Sequence, residues 1–190
     1  GTGPSGISGY SISSAGSYSY LFLSLPWEEE DAISDREWIL NVLDTHREYP
    51  TIVFSHFNED MDTFVKPFDQ VFMTVRGHIE ERWVSVFKYK MGHDVIDVVT
   101  NYQFDLYGGN GWLSTMEFDE EANRIYFRCY SPWVEKKMKI LSGEIENNGI
   151  LLPGEMRLFL FDKLCNTVVA TDNMVIEIDF KKRFTNSAQC

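Results

Sequence analysis

The sequence predicts an α+β fold in which a short parallel βαβ unit is followed by antiparallel hairpins. Over residues 20–75, apolar runs of strand length alternate with helical periodicity, and after Gly77 strand-like segments follow one another with short polar connections. The length of 190 residues favours one domain with a core of its own. A content of 44% hydrophobic and 24% charged residues is typical of a globular domain.

The parallel unit begins with residues 20–25 (YLFLSL), an apolar run that predicts a buried strand. Ser34 and Glu37 stand at capping-box spacing ahead of one apolar face, so a helix is predicted over about residues 35–47. Two further buried strands complete the unit, at residues 51–55 (TIVFS) and 71–75 (VFMTV). A short helix is predicted between them, at residues 60–68.

The segments after Gly77 alternate between strand-like runs and turn residues. Residues 117–124 (EFDEEANR) supply one polar turn between two of these runs. Because connections this short join antiparallel neighbours, we expect hairpins here. The predicted strands are residues 83–89, 95–101, 112–118, 125–130, 156–161 and 174–180.

Composition divides the chain into three stretches. Residues 1–19 are almost entirely Gly, Ser, Thr, Pro and Tyr, so we expect a flexible leader that contributes nothing to the core. Residues 20–132 carry the pattern described above, and residues 133–190 are predicted to add strands that complete or cap the same domain. Since the chain starts with neither an initiator Met nor a signal-peptide pattern, we expect a processed product or a piece of a longer protein.

Charge and cysteine content narrow the classes of partner. The chain has 29 acidic and 17 basic residues, a formal net charge of −12, which repels phosphate backbones and anionic lipid surfaces. We therefore expect neither nucleic acid nor a membrane as a partner.

The cysteines are odd in number and lack CxxC spacing, so they indicate neither a disulfide framework nor a structural zinc site. They are Cys129, Cys165 and Cys190.

The side chains that could carry chemistry stand at strand ends. His56 directly follows the predicted strand TIVFS, and Gly77 and His78 follow the predicted strand VFMTV. If these strands are parallel neighbours, both imidazoles meet at the carboxyl edge of the sheet, and Gly77 lets the backbone turn sharply beneath them. Two neutral imidazoles at one edge make half of a transition-metal site. The alternative is that both are ordinary strand-end histidines that form hydrogen bonds with backbone carbonyls of the loops.

Other polar features have ordinary structural explanations. His46 falls near the end of the first predicted helix, where a solvated cation suits the helix dipole, and His93 falls in a predicted hairpin turn. Residues 108–111 (GGNG) lead into a strand without a following basic residue, which predicts a tight loop, not a phosphate cradle. The acidic run at residues 28–31 (EEED) lacks the spacing of an EF-hand and is expected to be a solvated loop.

A longer pattern runs through these pieces. The succession TIVFSH, VFMTVRGHIEERW, VVTNYQF and GGNGWLSTMEFDEEANRIYFRCYSP resembles the C-terminal half of the calcineurin-like metallophosphoesterases over about residues 20–132. The resemblance implies part of a four-layer α/β sandwich that holds two metal ions bridged by an aspartate, where a metal-bound hydroxide attacks phosphorus. Matched by motif, His56 is similar to the family's lone metal-binding histidine and His78 to the first histidine of its Gly-His-x-His motif. Both would bind the same ion, of Mn, Fe or Zn.

This chain departs from the family in two respects. Glu80 stands where the family has the second histidine of that motif, so it is a third candidate ligand of a different kind. The family's Asp-x-His, Gly-Asp-x-x-Asp and Gly-Asn-His-Asp/Glu motifs belong upstream, where residues 1–19 contain no Asp, Asn or His. No catalytic residue is therefore assigned within the chain.

Two functions follow as expectations. In the first, the chain is a portion of a metallophosphoesterase that hydrolyses phosphoesters only if an N-terminal half supplies the missing ligands and the catalytic histidine. In the second, it is a non-catalytic structural or binding module, a degenerate phosphoesterase remnant in a larger assembly. Either way, an N-terminal half, self-association or a partner chain is expected to cover an exposed sheet edge.

Overall fold

A computed structural model describes residues 1–27, 29–56, 65–78, 83–88, 92–103, 109–150 and 173–184. The fold is mixed α+β, with two sheets and few helices. Of the predicted strands, residues 156–161 lie outside the described part, as does most of the predicted helix at 60–68. None of the helices in the described ranges is long and apolar enough to cross a bilayer.

The larger sheet has six strands: β1 (Gly9–Ala15), β2 (Tyr18–Ser24), β3 (Thr51–Ser55), β4 (Val71–Arg76), β5 (Trp83–Lys88) and β6 (Asp94–Val99). Their order across the sheet is β1-β2-β3-β4-β6-β5. Strands β2, β3, β4 and β6 are parallel, and the two outer strands run antiparallel to their neighbours. The predicted parallel unit followed by hairpins is confirmed.

The smaller sheet has three antiparallel strands in the order β7-β8-β9: β7 (Leu113–Asp119), β8 (Arg124–Tyr130) and β9 (Asn173–Glu177). The described helices are α1 (Glu29–Thr45), α2 (Pro132–Leu141) and α3 (Phe180–Phe184). Residues 133–190 are predicted to add strands; β9 lies in this stretch, and helices α2 and α3 stand beside it as elements that the sequence analysis does not predict. Ser131 caps it by accepting a hydrogen bond from the Val134 amide at 3.0 Å, and Pro132 occupies its first turn.

Alternate residues of the large sheet serve two cores. On β2, Leu21 and Leu23 pack against Ile39 and Leu43 of α1, whereas Tyr20 points to the other face. The core on that second face joins the two sheets and contains residues of β2, β3, β4, β5, β6, β8, β9 and α3. Because successive side chains of a strand point to opposite faces, one apolar run supplies both cores.

Residues 1–19 differ from the flexible leader that their composition predicts. Residues 9–15 form β1, which pairs with β2 over seven residues, and Gly16 makes the turn with φ +60°. The segment is also fixed to α1, because the Asp35 carboxylate accepts hydrogen bonds from the Ser5 amide at 2.8 Å and the Ser5 hydroxyl at 2.5 Å. Burial alone would raise the pKa of Asp35, but these hydrogen bonds hold it below its usual value.

Helix α1 begins at Glu29, earlier than the predicted start at residue 35. Ser34 and Glu37 therefore do not form a capping box. We expected the acidic run at residues 28–31 to be a solvated loop, but its residues from Glu29 onward form the first turn of α1. A negative charge such as that of Asp31 is favourable there, because the N-terminus is the positive end of the helix dipole. Asp35 lies inside the helix and is fully buried by the contact with Ser5.

Replacing Asp35 with Ala is expected to destabilise the protein by about 1–3 kcal/mol, because two donors of Ser5 lose their acceptor. Amide hydrogen exchange should speed up most at residues 3–8, which this carboxylate fixes to α1. Asp44→Ala, on the exposed side of the same helix, is the control and should leave exchange at residues 3–8 unchanged. Equal protection of residues 3–8 in both variants would contradict the assigned role of Asp35.

Candidate metal centre

Two histidines lie side by side at the carboxyl edge of the large sheet. His56 follows the last residue of β3, and His78 comes two residues after the end of β4. The strands are parallel neighbours, with Ser55 paired to Arg76 at their ends. Both histidines therefore leave the sheet at the same edge, where α/β proteins place their sites.

The two imidazoles contact each other. His56 Nε2 lies 3.1 Å from His78 Nδ1, and the ring centroids are 5.0 Å apart. Both side chains are exposed to solvent. The predicted convergence of these two rings at one sheet edge is confirmed.

The spacing of the two nitrogens fits joint ligation of one ion. A transition metal bonded at about 2.0–2.1 Å to each of two imidazoles holds their nitrogens about 3.0–3.4 Å apart. The 3.1 Å separation of His56 Nε2 and His78 Nδ1 falls within that interval. The same distance also suits a hydrogen bond in which one neutral ring donates its N–H to the other. Addition of metal distinguishes ligation from hydrogen bonding.

The backbone turn that aims His78 at His56 is made by His78 itself. Its φ is +68°, in the left-handed region that residues other than glycine rarely enter. Gly77 does not have a positive φ, and a Cβ there would meet Thr100 O at 3.7 Å and His56 Nδ1 at 4.0 Å, which are ordinary contacts. The expectation that Gly77 makes the sharp turn is therefore wrong. A strained conformation at a candidate ligand is a feature that recurs at functional sites.

Trp27 is a third member of the site that the sequence analysis did not assign. Its ring centroid lies 4.9 Å from that of His56 and 5.9 Å from that of His78, and the residue is 56% exposed. It follows β2, the parallel neighbour of β3, so it leaves the sheet at the same edge. The signal was available in its position two residues after the predicted strand at residues 20–25, but only the strand order reveals its neighbours.

A buried ion pair lies behind the site. Arg76 binds Asp97 of β6 through Nη2–Oδ2 at 2.7 Å and Nε–Oδ1 at 3.1 Å, and the Thr74 hydroxyl donates to the same carboxylate at 2.7 Å. Burial alone would raise the pKa of Asp97, but the hydrogen bonds from Arg76 and Thr74 and the charge of Arg76 lower it. The carboxylate therefore stays charged and offsets the guanidinium two residues before His78.

A hydroxyl and thiol network continues along the same edge beyond β6. Tyr102 donates to Cys129 Sγ at 2.8 Å and lies 3.1 Å from Ser114 Oγ, while its ring stacks on Trp112 with centroids 6.0 Å apart. Gly109 has φ +103°, and a Cβ there would lie 2.9 Å from Tyr102 O. The loop predicted from GGNG is tight, as expected, because Gly109, Asn110 and Gly111 all have positive φ.

The remaining candidates lie elsewhere or outside the described residues. His46 contacts the leader through Tyr10, with Nε2 3.3 Å from the phenol oxygen, so it packs instead of being fully solvated. His93 precedes β6 and contacts Lys66 O at 2.9 Å. Glu80 lies outside the described residues. Among the described residues, no group of three or more His, Cys, Asp or Glu side chains is arranged to hold a metal ion.

Comparison with known proteins adds no family assignment: no protein-family model and no curated protein matches this chain.

Proposed function

We propose that this chain is the C-terminal portion of a calcineurin-like metallophosphoesterase sandwich, and that His56 and His78 bind one divalent transition metal of its active centre. Phosphoester hydrolysis requires an N-terminal half that supplies the remaining ligands and the catalytic histidine. The observation that carries the proposal is the 3.1 Å approach of the two imidazole nitrogens at the ends of neighbouring parallel strands. Glu80 remains a candidate third ligand of the same site.

The residues of this chain have separate tasks in such a centre. His56 and His78 supply two neutral nitrogen ligands, and Asp97 offsets the charge of Arg76 so that the guanidinium does not repel the cation. Trp27 contacts both rings and so covers one side of the imidazole pair. A bound Mn, Fe or Zn ion would supply Lewis-acid activation of a phosphoester oxygen or of water.

Metal binding by the imidazole pair can be tested on the chain as it stands, because its four histidines provide their own controls. We expect Zn²⁺ titration followed by imidazole NMR to shift the ring signals of His56 and His78 at metal concentrations that leave His46 and His93 unchanged. His78→Gly should abolish the selective response without straining the left-handed backbone, and His46→Gln should retain it. A uniform response of all four rings, or none, would mean that the two rings share only a hydrogen bond.

The catalytic part of the proposal needs the longer protein. With the upstream segment present, we expect Mn²⁺-dependent or Zn²⁺-dependent hydrolysis of a p-nitrophenyl phosphodiester or monoester, and a loss of at least about 100-fold in His56→Gln. The segment alone and the present chain alone should be inactive. Full activity of the longer protein carrying both His56→Gln and His78→Gln would show that these two histidines bind no metal needed for catalysis.

The second candidate function is a non-catalytic structural or binding module. It is favoured by β1, which pairs antiparallel with β2. The chain's own residues therefore occupy the edge of β2 along which an N-terminal half could otherwise extend the sheet. In this case, sedimentation should find a stable oligomer or a complex with a partner chain, and the longer protein should bind no metal stoichiometrically. A strictly monomeric protein that binds metal through His56 and His78 would rule this function out.

A further inference from the structure

A cavity of about 560 Å³ lies between the two sheets, at the end of the parallel strands opposite to the histidine pair. Asp94, the first residue of β6, lines this cavity, whereas the histidines follow the last residues of β3 and β4. The volume is in the range of sites that hold small organic molecules. The apolar wall comes from β4, β5, β6, β9 and the residue after β9, and it consists of Phe72, Val86, Ile96, Ile176 and Ile178.

Arg183 of α3 is a partly buried cation in the wall of this cavity. Its Nη2 donates to the carbonyl oxygens of Val71 at 3.0 Å and Asp94 at 3.4 Å. Both acceptors are uncharged, and no carboxylate of the described residues forms an ion pair with the guanidinium. Removing such a cation from water without a counter-charge is costly, because lost hydration is not replaced by an ion pair.

Two carboxylates act on Arg183 without forming an ion pair with it. Burial lowers the pKa of Arg183, whereas the negative charges of Asp69 and Asp94 raise it. Burial is the larger effect, so the pKa stays below its usual value. Asp69 and Asp94 therefore offset only part of the cost of burying the guanidinium, which stays protonated in proteins. An anionic group in direct contact with Arg183 would offset more of that cost.

Charged side chains of both signs line the cavity. The basic ones are Lys88, Lys182 and Arg183, and the acidic ones include Asp69 and Asp94. His93 also lines it but adds no charge near neutral pH, because burial, followed by the charge of Arg183, lowers its pKa. A simple anion is therefore repelled by the carboxylates, and a simple cation by the guanidinium and the lysines. A ligand with both charges can place each of them against its opposite.

We propose that this cavity binds a small zwitterion with an apolar body, of the amino-acid class. Its carboxylate would accept hydrogen bonds from Arg183, whose Nη1 donates to none of the described residues. Its ammonium group would face Asp69 and Asp94, and its body would lie against the apolar wall. In an amino acid both charges are carried by one carbon, which suits opposite charges that lie near each other without an ion pair. This inference does not depend on the function proposed for the histidine pair.

Three matched probes test the proposal on the intact chain: phenylalanine, phenethylammonium, which lacks its carboxylate, and 3-phenylpropanoate, which lacks its ammonium group. Titration at low salt and near neutral pH, followed by calorimetry or NMR, should show that phenylalanine binds at least about fivefold more tightly than either of the others. No binding of phenylalanine up to about 10 mM would overturn the proposal, as would equal or tighter binding of a probe with a single charge.

Two variants locate the binding. Asp69→Asn removes an exposed carboxylate of the cavity and should weaken phenylalanine about threefold or more. The same change at Asp31, which begins α1 at the other end of the sheet, should leave binding unchanged. Arg183→Gln should weaken phenylalanine and 3-phenylpropanoate but not phenethylammonium, because it removes the partner of the carboxylate alone. Phenylalanine binding that is unchanged in Asp69→Asn, or weakened equally in Asp31→Asn, would refute the assignment even if Arg183→Gln failed to fold.

Discussion

Replacing Asp97 with Asn is expected to lower the free energy of unfolding by about 3–5 kcal/mol, because it breaks a buried ion pair by removing the negative charge that faces the Arg76 guanidinium. The side chains of Arg76 and Asp97 are only 10% and 1% exposed, and they share two hydrogen bonds. Asn keeps the shape, and its Oδ1 can still accept from Thr74, but its amide nitrogen cannot accept from Arg76 Nη2; the loss therefore measures the charge together with that hydrogen bond. Urea unfolding followed by tryptophan fluorescence would give the difference.

The control for Asp97→Asn is Glu117→Gln, which breaks an ion pair of similar length with Arg128 at the surface, 2.8 Å against 2.7 Å. Those side chains are 60% and 54% exposed, so the expected loss is less than about 1 kcal/mol. Equal losses in the two variants would contradict the assignment of Asp97 as the buried counter-charge. The buried variant should also broaden the imidazole signal of His78, since Arg76 lies two residues before it on the same chain.

The stability contributed by Asp97 should depend on pH with a definite sign. Because the folded state lowers its pKa, the contribution is fully present above the unfolded value of about 3.9. It is lost as the pH falls through the lower, folded pKa. The difference in stability between the wild type and Asp97→Asn should therefore be largest near neutral pH and shrink below about pH 4.

Replacing Phe184 with Ala is expected to cost about 3–5 kcal/mol, because it opens a cavity in the core that joins the two sheets. Phe184 is 3% exposed, and its ring lies within 4.9 to 6.0 Å of the rings of Tyr18, Tyr20, Phe72 and Phe180, centroid to centroid. Thermal unfolding of the purified variant measures the loss.

The same substitution at Phe87 is the control for Phe184→Ala. Phe87 lies on the outer strand β5 and is 49% exposed, so its replacement by Ala should cost about 1 kcal/mol or less. Equal losses of stability in the two variants would mean that Phe184 of α3 contributes no more to the core than an exposed phenylalanine does.

The strand ends were predictable from the sequence because the signals there are local. The apolar run TIVFS, followed at once by His56, fixes both the strand and the position of the imidazole. The same holds for VFMTV before Gly77 and His78. A connection of this length, with a helix predicted in it, favours parallel pairing of the two strands, so the meeting of the two rings could be inferred from the sequence.

The features that were missed depend on contacts between distant parts of the chain. Gly and Ser in the leader disfavour a strand, and β1 forms because β2 offers an edge and because Asp35, about thirty residues away, binds Ser5. Trp27 joins the site only once β2 is known to lie beside β3. Helix α2 is different, since Ser131 followed by Pro132 is a local start signal that the sequence analysis overlooked.

The position of α3 has a consequence for synthesis on the ribosome. Tyr18, Tyr20 and Phe72 emerge early, but the rings that cover them, Phe180 and Phe184, are made more than a hundred residues later. Arg183 likewise donates to Val71 O across a separation of 112 residues. The nascent chain must therefore keep an aromatic surface exposed until residues 180–184 have left the ribosome, and a chaperone would protect that surface from aggregation.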